Sequence, residues 1–307
     1  LTAYNSVAQD LIKSHGISTF GDLKYDKTFE NLSYVNVNAP KGGQISFWAF
    51  GSFDSMHPYS RKGRAGAYSS IFFESLLEGT ADEVDSAYGL LAEYIEYPKD
   101  RSWVIFRLRE NIKFSDGSAL TVEDVLFSYD LLREKGLPSF RAVLEKDVKS
   151  AEILSEFEIK FIFNDGVPKR DLINTVGSLP VFSKAYFLQN DIDFEESTLT
   201  PALGSGPYVL KSLDVGKNII YAKNDNYWGQ DLAINRGRYN FDSFRIEYFA
   251  DYNSAFEGFK SGDYTFRNEA SSKIWATGYD FPAIAKGWVN KTTIKDGTLA
   301  SGQSFVF

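Results

Sequence analysis

The chain has 307 residues, 43% of them hydrophobic and 16% aromatic, with a net charge of −8, two histidines and no cysteine. That length holds two domains of ordinary size around a substantial core and excludes bulk disorder. The lack of cysteine excludes a disulfide framework, a thiolate metal site and a cysteine nucleophile. The acidic balance argues against a nucleic-acid surface, and no run approaches the ~18 uninterrupted apolar residues of a membrane-spanning helix.

In chain order, residues 1–40 show no long periodic segment and read as a short helix followed by an extended wrap. Gln44–Ala49 is a strand candidate. The densest basic stretch follows, Arg61-Lys62-Gly63-Arg64, which on charge alone reads as a solvated loop. Ala65–Glu78 carries Ile71, Phe72, Ser75 and Leu76 at helical spacing, so a helix is expected to end near Gly79. In Trp103–Leu108, Val104, Phe106 and Leu108 alternate with Trp103, Ile105 and Arg107, the pattern of a strand buried on at least one face. Ser115-Asp116-Gly117 is a tight turn in which Gly117 is free to take a positive φ. Thr121 stands at an N-cap with Asp124 three residues on, a near capping box, and predicts a helix through about Arg133.

Further along, Phe157, Ile159, Phe161 and Phe163 alternate with Glu156, Glu158 and Lys160, so Ser155–Phe163 is expected as a half-exposed strand. Pro180 and the Pro201–Pro207 region punctuate the chain as crossings between lobes do. Ile219–Tyr221 reads as a strand, and Phe244-Arg245-Ile246-Glu247-Tyr248 repeats the alternation. Phe305–Phe307 is apolar and reads as a strand end in need of a partner. No internal repeat or low-complexity segment is present.

Three of these stretches carry a resemblance. The run from Trp103 through KFSDGSALTVEDV is similar to the signature of bacterial extracellular solute-binding family 5, the oligopeptide-binding proteins of ABC importers. Gly204-Ser205-Gly206-Pro207-Tyr208, followed by Asn224-Asp225-Asn226-Tyr227-Trp228, resembles the G-(T/S)-G-P-Y…N-x-x-Y-W pattern of that family. Ala255–Asp263 looks like its helix ending in a Gly-Asp step. Ala39-Pro40-Lys41-Gly42-Gly43, Gly51-Ser52-Phe53-Asp54 and Asn235–Asp242 resemble the YejA-like branch, which is associated with uptake of oligopeptides and peptide-like antibiotics such as microcin C.

The resemblance implies an α/β fold of the type II periplasmic-binding-protein kind, with a discontinuous lobe, a subdomain and a second lobe. Mapped on this chain, residues 1–52 and 179–268 form the first lobe, 53–178 the subdomain, and 269–307 the start of the second lobe. Relatives of about twice this length are implied, so the second lobe is expected to be truncated here. A fragment, a nicked protein or a partly read sequence would each give that result, and a second chain could supply the missing lobe. Ser205–Tyr208 is expected to open a strand returning to the first lobe. The implied function is a periplasmic receptor that captures oligopeptides or peptide-like compounds and passes them to ABC permease subunits, with no cofactor, metal or catalysis. Phe53, Asp54, Arg61, Arg64 and Tyr68 are implied on the ligand-facing loop, against the solvated-loop reading. Phe140 and Arg141 fall on a subdomain loop near the ligand, and Trp275 and Tyr279 form an aromatic ledge past the crossing.

Catalytic chemistry finds little footing in the sequence. His15 and His57 are the only imidazoles, and His57-Pro58 reads as surface or cleft-edge packing. Two isolated histidines without cysteine argue against zinc. Gly204-Ser205-Gly206 has the wrong spacing for a nucleophile elbow, and Lys41-Gly42-Gly43 lacks the order of a phosphate loop. The competing enzymatic reading is a secreted glycosidase using paired carboxylates, drawn from Glu93 and Glu96, Asp82-Glu83-Asp85, or Glu195-Glu196. On a motif-free basis such acids belong to solvated faces.

Overall fold

The computed structural model describes residues 10–294. Its elements run β1 (Leu11–Ser14), β2 (Gly16–Ser18), β3 (Gln44–Phe50), a 3₁₀ turn (Ser69–Phe72), β4 (Leu77–Gly79), β5 (Ser86–Gly89), β6 (Ala92–Pro98) and β7 (Trp103–Leu108). Then come α1 (Val122–Lys135), α2 (Pro138–Asp147), β8 (Val148–Ser155), β9 (Glu158–Phe163), α3 (Leu172–Gly177) and α4 (Lys184–Gln189). The described chain closes with β10 (Tyr208–Asp214), β11 (Asn218–Lys223), β12 (Ser243–Phe249), α5 (Tyr252–Ser261), α6 (Ser272–Thr277) and α7 (Pro282–Ala285). Three sheets result, ordered β1-β6-β7-β9-β8, β10-β11-β12-β3 and β2-β5-β4.

The five-stranded sheet is antiparallel and built on the alternation seen in the sequence. Val104, Phe106 and Leu108 of β7, and Ile159, Phe161 and Phe163 of β9, are all buried. Against them α1 lays Val122, Val125, Tyr129 and Leu132. Phe106 meets Phe161 edge-on at 5.8 Å, and Tyr129 meets Phe161 at 5.4 Å, geometries that add to the area term. Gly117 takes φ 88° in the turn before α1. The Asp124 carboxylate accepts from the Thr121 backbone N–H at 2.9 Å, as a capping box requires. Its other oxygen accepts from the Lys184 amide at 2.9 Å, so the cap of α1 also fixes the start of α4.

The four-stranded sheet joins distant segments. β3 pairs in parallel with β12, Gln44 opposite Ser243 through Phe50 opposite Phe249, while β10, β11 and β12 form an antiparallel meander. Tyr208 thus opens a strand in the same sheet as Gln44–Ala49, as the Gly-Pro-Tyr pattern predicts. The free side of β3 is met at Ser46, where the Thr265 and Phe266 amides donate to its carbonyl at 3.2 and 2.9 Å, which shields that part of the edge. The helix before that segment, α5, stops at Gly262, φ 85°, and the Asp263 amide donates back to Gly258 at 2.9 Å.

Two expectations are overturned, and a third is tested only in part. Residues 10–40 hold β1 and β2, paired with β6 and β5, and no helix; the part of the expected short helix that falls on residues 1–9 lies outside the described residues. The helix expected over Ala65–Glu78 shrinks to the 3₁₀ turn, because its apolar residues serve two different cores: Phe72 packs with Tyr221 and Ile246, whereas Leu76 and Leu77 pack with Ile95 and Phe106. A helix would place all of them on one face. Ser155–Phe163 is not one strand, since Glu156 and Phe157 form the turn between β8, which the sequence did not announce, and β9. The strand expected at Phe305–Phe307 lies outside the described residues. Leu179, Val181, Phe182 and Phe194 pack into the larger core with α1 and the five-stranded sheet.

Phe106→Ala should lower unfolding stability by about 3–5 kcal/mol, because the buried ring leaves a cavity between α1 and the sheet. Urea denaturation followed by circular dichroism measures it.

Candidate functional site

The loop from β3 to the 3₁₀ turn is held in shape by its own backbone. The Asp54 and Ser55 amides donate to the Arg64 carbonyl at 3.1 and 3.2 Å, and the Arg64 amide donates to Asp54 Oδ1 at 2.5 Å. Asp54, Arg61 and Arg64 are all exposed on this loop, and neither arginine forms an ion pair among the described residues. Lys62, between them, pairs with Glu196. The loop ends at Tyr68, which is 56% exposed and left-handed at φ 64°. Its ring stands 6.1 Å from Phe47, which in turn meets Phe266 edge-on at 5.6 Å. The loop wall thus carries two exposed arginines and ends on an aromatic strip of Tyr68, Phe47 and Phe266.

The remaining residues singled out by sequence fall differently. Phe53 is 1% exposed and packs on Tyr248 at 5.0 Å, so it braces the wall from inside and does not face a ligand. Phe140 and Arg141 lie on α2 and not on a loop: Phe140 is half-buried, 6.3 Å from Tyr59, and Arg141 is exposed, 3.9 Å from Glu145 one helical turn on. Trp275 and Tyr279 are a separate half-buried pair 5.8 Å apart. Tyr279 donates to Glu269 at 3.0 Å and packs on Phe256 at 5.4 Å, so the ledge is built into the joint after α5.

Behind Tyr68 lies a cavity of about 360 Å³ that sequence reasoning missed, lined among others by Tyr59, Phe73, Glu74, Glu78, Arg238 and Tyr239. Glu74 is buried. Its carboxylate accepts from Trp228 Nε1 at 2.7 Å and from the Tyr227 hydroxyl, which itself accepts from Asn235 Nδ2 at 2.9 Å. Burial pushes the Glu74 carboxyl up to about 7, against the pull of its donors. Arg238 Nη2 donates to Glu78 at 3.3 Å. The available signal was an acid inside an apolar run, Phe72-Phe73-Glu74-Ser75-Leu76, together with the Tyr-Trp dipeptide of the second pattern. Gly204 is required here: a Cβ would stand 1.9 Å from the Phe72 carbonyl oxygen.

The acids of the glycosidase reading are largely committed elsewhere. Asp82 accepts from Lys24 and from the Tyr25 hydroxyl, Glu83 from Tyr88, and Asp85 from the Phe20 amide. Glu196 pairs with Lys62 and Glu93 is exposed. His57 is buried, bonded through Nε2 to the Phe194 carbonyl at 2.8 Å and edge-on to that ring at 4.5 Å; burial lowers its pKa. It packs the interior behind the loop.

The model of bacterial extracellular solute-binding proteins, family 5 Middle, matches residues 86–301. The chain belongs to this family. It is 39% identical over 298 residues to the probable peptide-binding protein YejA of Agrobacterium fabrum, covering 95% of this chain and 48% of that protein. It is 35% identical over 309 residues to the peptidoglycan-binding protein YepA of the same organism, covering 95% and 49%. The chain thus spans about half the length of the curated relatives it matches. Among solved structures, the oligopeptide-binding protein AppA of Bacillus subtilis, in complex with a nonapeptide, superposes with a TM-score of 0.64 at 20% identity over 79% of this chain and 47% of AppA. The fold is accordingly the α/β periplasmic-binding-protein fold of type II. Among the described residues no helix is long and apolar enough to cross a membrane.

Glu74 and Asp82 predict opposite pH dependences. Glu74 has a folded pKa of about 7 against an ordinary 4.5, so its contribution is full below pH 4.5 and is lost as pH rises through 7. Asp82 is held at about 2 by Lys24 and its hydroxyl donors, which outweigh burial, so its contribution is present above pH 3.8 and is lost toward pH 2. Because buried His57, with its lowered pKa, acts in the opposite sense up to about pH 6.5, the readout is the difference: between pH 5 and 8 the urea midpoint of the native chain should fall relative to that of Glu74→Gln as pH rises.

Proposed function

We propose that this chain builds one side of an extracytoplasmic receptor, working in the periplasm, that captures oligopeptides or peptide-like compounds and delivers them to the permease of an ABC importer. The family membership over residues 86–301 is the observation that carries this reading. The printed descriptions of the two relatives, peptide-binding and peptidoglycan-binding, support a cargo with a peptide backbone. On the sequence resemblance, residues 1–52 and 179–268 belong to the first lobe, 53–178 to the subdomain, and 269–307 to the start of the second lobe. The sheet shared by β3 and β10–β12 supports a discontinuous first lobe. The pairing of β1 and β2 with β6 and β5, and the packing of Val181, Phe182 and Phe194, favour giving those segments to the subdomain.

A receptor of this kind must hold many side chains without fixed partners for each. The wall suits that task. Tyr68, Phe47 and Phe266 offer ring faces that accept varied apolar groups, and Arg61 and Arg64 offer bidentate donors to carbonyl and carboxylate oxygens. Asp54 shapes the loop that carries them. Closure on an opposing wall would bury the cargo, and contacts with both walls would shift the population toward the closed form. The length of relatives that this chain does not span is the natural source of that wall, on the same or a second polypeptide.

A ligand held on one wall keeps much of its surface in water, whereas ligand sites bury roughly 70–90% of it. Calorimetry of the 307-residue chain with mixed tri- to hexapeptides should therefore give weak, saturable binding with a Kd of about 0.1–1 mM. Arg61→Ala with Arg64→Ala should weaken it further. Submicromolar binding by the chain alone would overturn the two-walled reading, and turnover of peptide or glycoside would overturn the receptor.

A further inference from the structure

We propose that the cavity behind Tyr68 is a subsite for a zwitterionic, amino-acid-sized group bearing an aromatic or large apolar side chain. The cavity holds about 360 Å³, near the lower end of the roughly 300–1,000 Å³ of ligand pockets. That suits one residue and not an extended oligopeptide. Every group named here stands between residues 59 and 239, so the subsite needs no opposing wall.

Charge balance selects the ligand. Arg238 and Glu78 form a single-contact pair at 3.3 Å, with both side chains only partly exposed, at 26% and 34%. Arg238 Nη1 is buried and has no hydrogen-bond partner among the described residues. An anionic ligand alone would draw Arg238 away and strand Glu78. A cationic ligand alone would strand Arg238. Leaving one charge of a partly buried pair without its partner is the costly outcome. A zwitterion brings a carboxylate for the guanidinium and an ammonium for Glu78, so both charges stay paired. Tyr59, Tyr68, Phe73 and Tyr239 line the same space and supply ring faces and edges for the side chain.

Backbone geometry points independently to the same place. Tyr68 has φ 64° and Tyr239 has φ 54°. Bulky residues rarely adopt that conformation, and each such position costs of order 1–3 kcal/mol, offset by surrounding structure and concentrated at ligand clamps. Here both line one cavity. Tyr239 and Arg238 belong to the Asn235–Asp242 stretch singled out in the sequence, which the oligopeptide wall does not use. The Arg238 guanidinium lies 4.9 Å from the Tyr239 ring centre, so the strained turn aims the charge and the ring together.

The probes are L-tyrosine, L-tyrosinamide and N-acetyl-L-tyrosine, titrated into the purified chain by calorimetry. L-tyrosine should bind saturably, and either blocked analogue should bind at least tenfold more weakly. Arg238→Gln should weaken L-tyrosine at least tenfold and bring it level with the amide. Tyr68→Ala, which removes an exposed ring and is safe for folding, should weaken all three probes about threefold. The subsite is wrong if L-tyrosine gives no saturable heat up to about 10 mM, if all three probes bind alike, or if a folded Arg238→Gln chain binds L-tyrosine unchanged. Peptide capture on the arginine-bearing wall could survive any of those results, so the two readings fail separately.

Discussion

A carboxylate removed from water must be met by donors, and at Glu74 those donors arrive from far along the chain. Tyr227 and Trp228, more than 150 residues later, both point hydrogens at it. The same short stretch holds two further segments: the Val181 amide donates to the Glu74 carbonyl, and the Gly206 amide to the Phe72 carbonyl, both at 2.9 Å. Residues 72–74 are therefore the point where the larger core, the smaller core and the connection between β11 and β12 are pinned together. Taking away one donor would leave a buried polar group unsatisfied, which costs more than a typical hydrogen bond contributes. Both the wall and the cavity behind Tyr68 hang on this junction.

That pinning explains how the chain can leave a sheet and return to it. Gln44 and Ser243 are strand partners, yet nearly two hundred residues separate them. Closure entropy grows only with the logarithm of loop length, so the excursion is tolerable provided the excursion folds by itself. Its contacts are largely local: the antiparallel pairs β6 with β7 and β8 with β9, with α1 packed across them. The parallel pairing of β3 with β12 can then form late between two preformed bodies.

Legibility in the sequence followed from how many masters each residue served. In β7 and β9 the alternation answers to one sheet and one core, and within those strands it was legible, with Phe157 falling instead in the turn before β9. The turn at Gly117, the cap at Thr121 and Asp124, and the stop at Gly262 are local chemistry and were equally plain. Ala65–Glu78 serves two cores, and its spacing imitated a helix. β1, β2 and β8 are edge or short strands whose pairing partners, not their own pattern, decide them. Of the ligand-wall candidates, Asp54, Arg61, Arg64 and Tyr68 are exposed on their loop, while Phe53 is buried; nothing local distinguishes a ring that faces a cleft from one that faces a core. Glu74 was missed because its meaning lies in Tyr227 and Trp228.

The joint after α5 shows the same logic with charges. Arg267 has no exposed side-chain surface, lies 4.4 Å from the Tyr252 ring centre, and donates to Glu269 at 3.0 Å and to the Tyr264 hydroxyl at 2.7 Å. Burial would raise the Glu269 pKa, but donors from Tyr252, Ser271, Arg267 and Tyr279 hold it below its ordinary value. Such a pair contributes little as an attraction, since desolvation offsets the Coulomb gain, yet breaking it strands a charge at a cost of roughly 3–5 kcal/mol. It therefore acts as a fixture. Glu269 accepts from Tyr252 on α5 and from Ser271 and Tyr279 beyond it, so the segment carrying Trp275 and Tyr279 is bound to α5 as one piece. A rotation placed between α5 and Tyr279 would have to open this network, whereas one placed after Tyr279 would leave it intact.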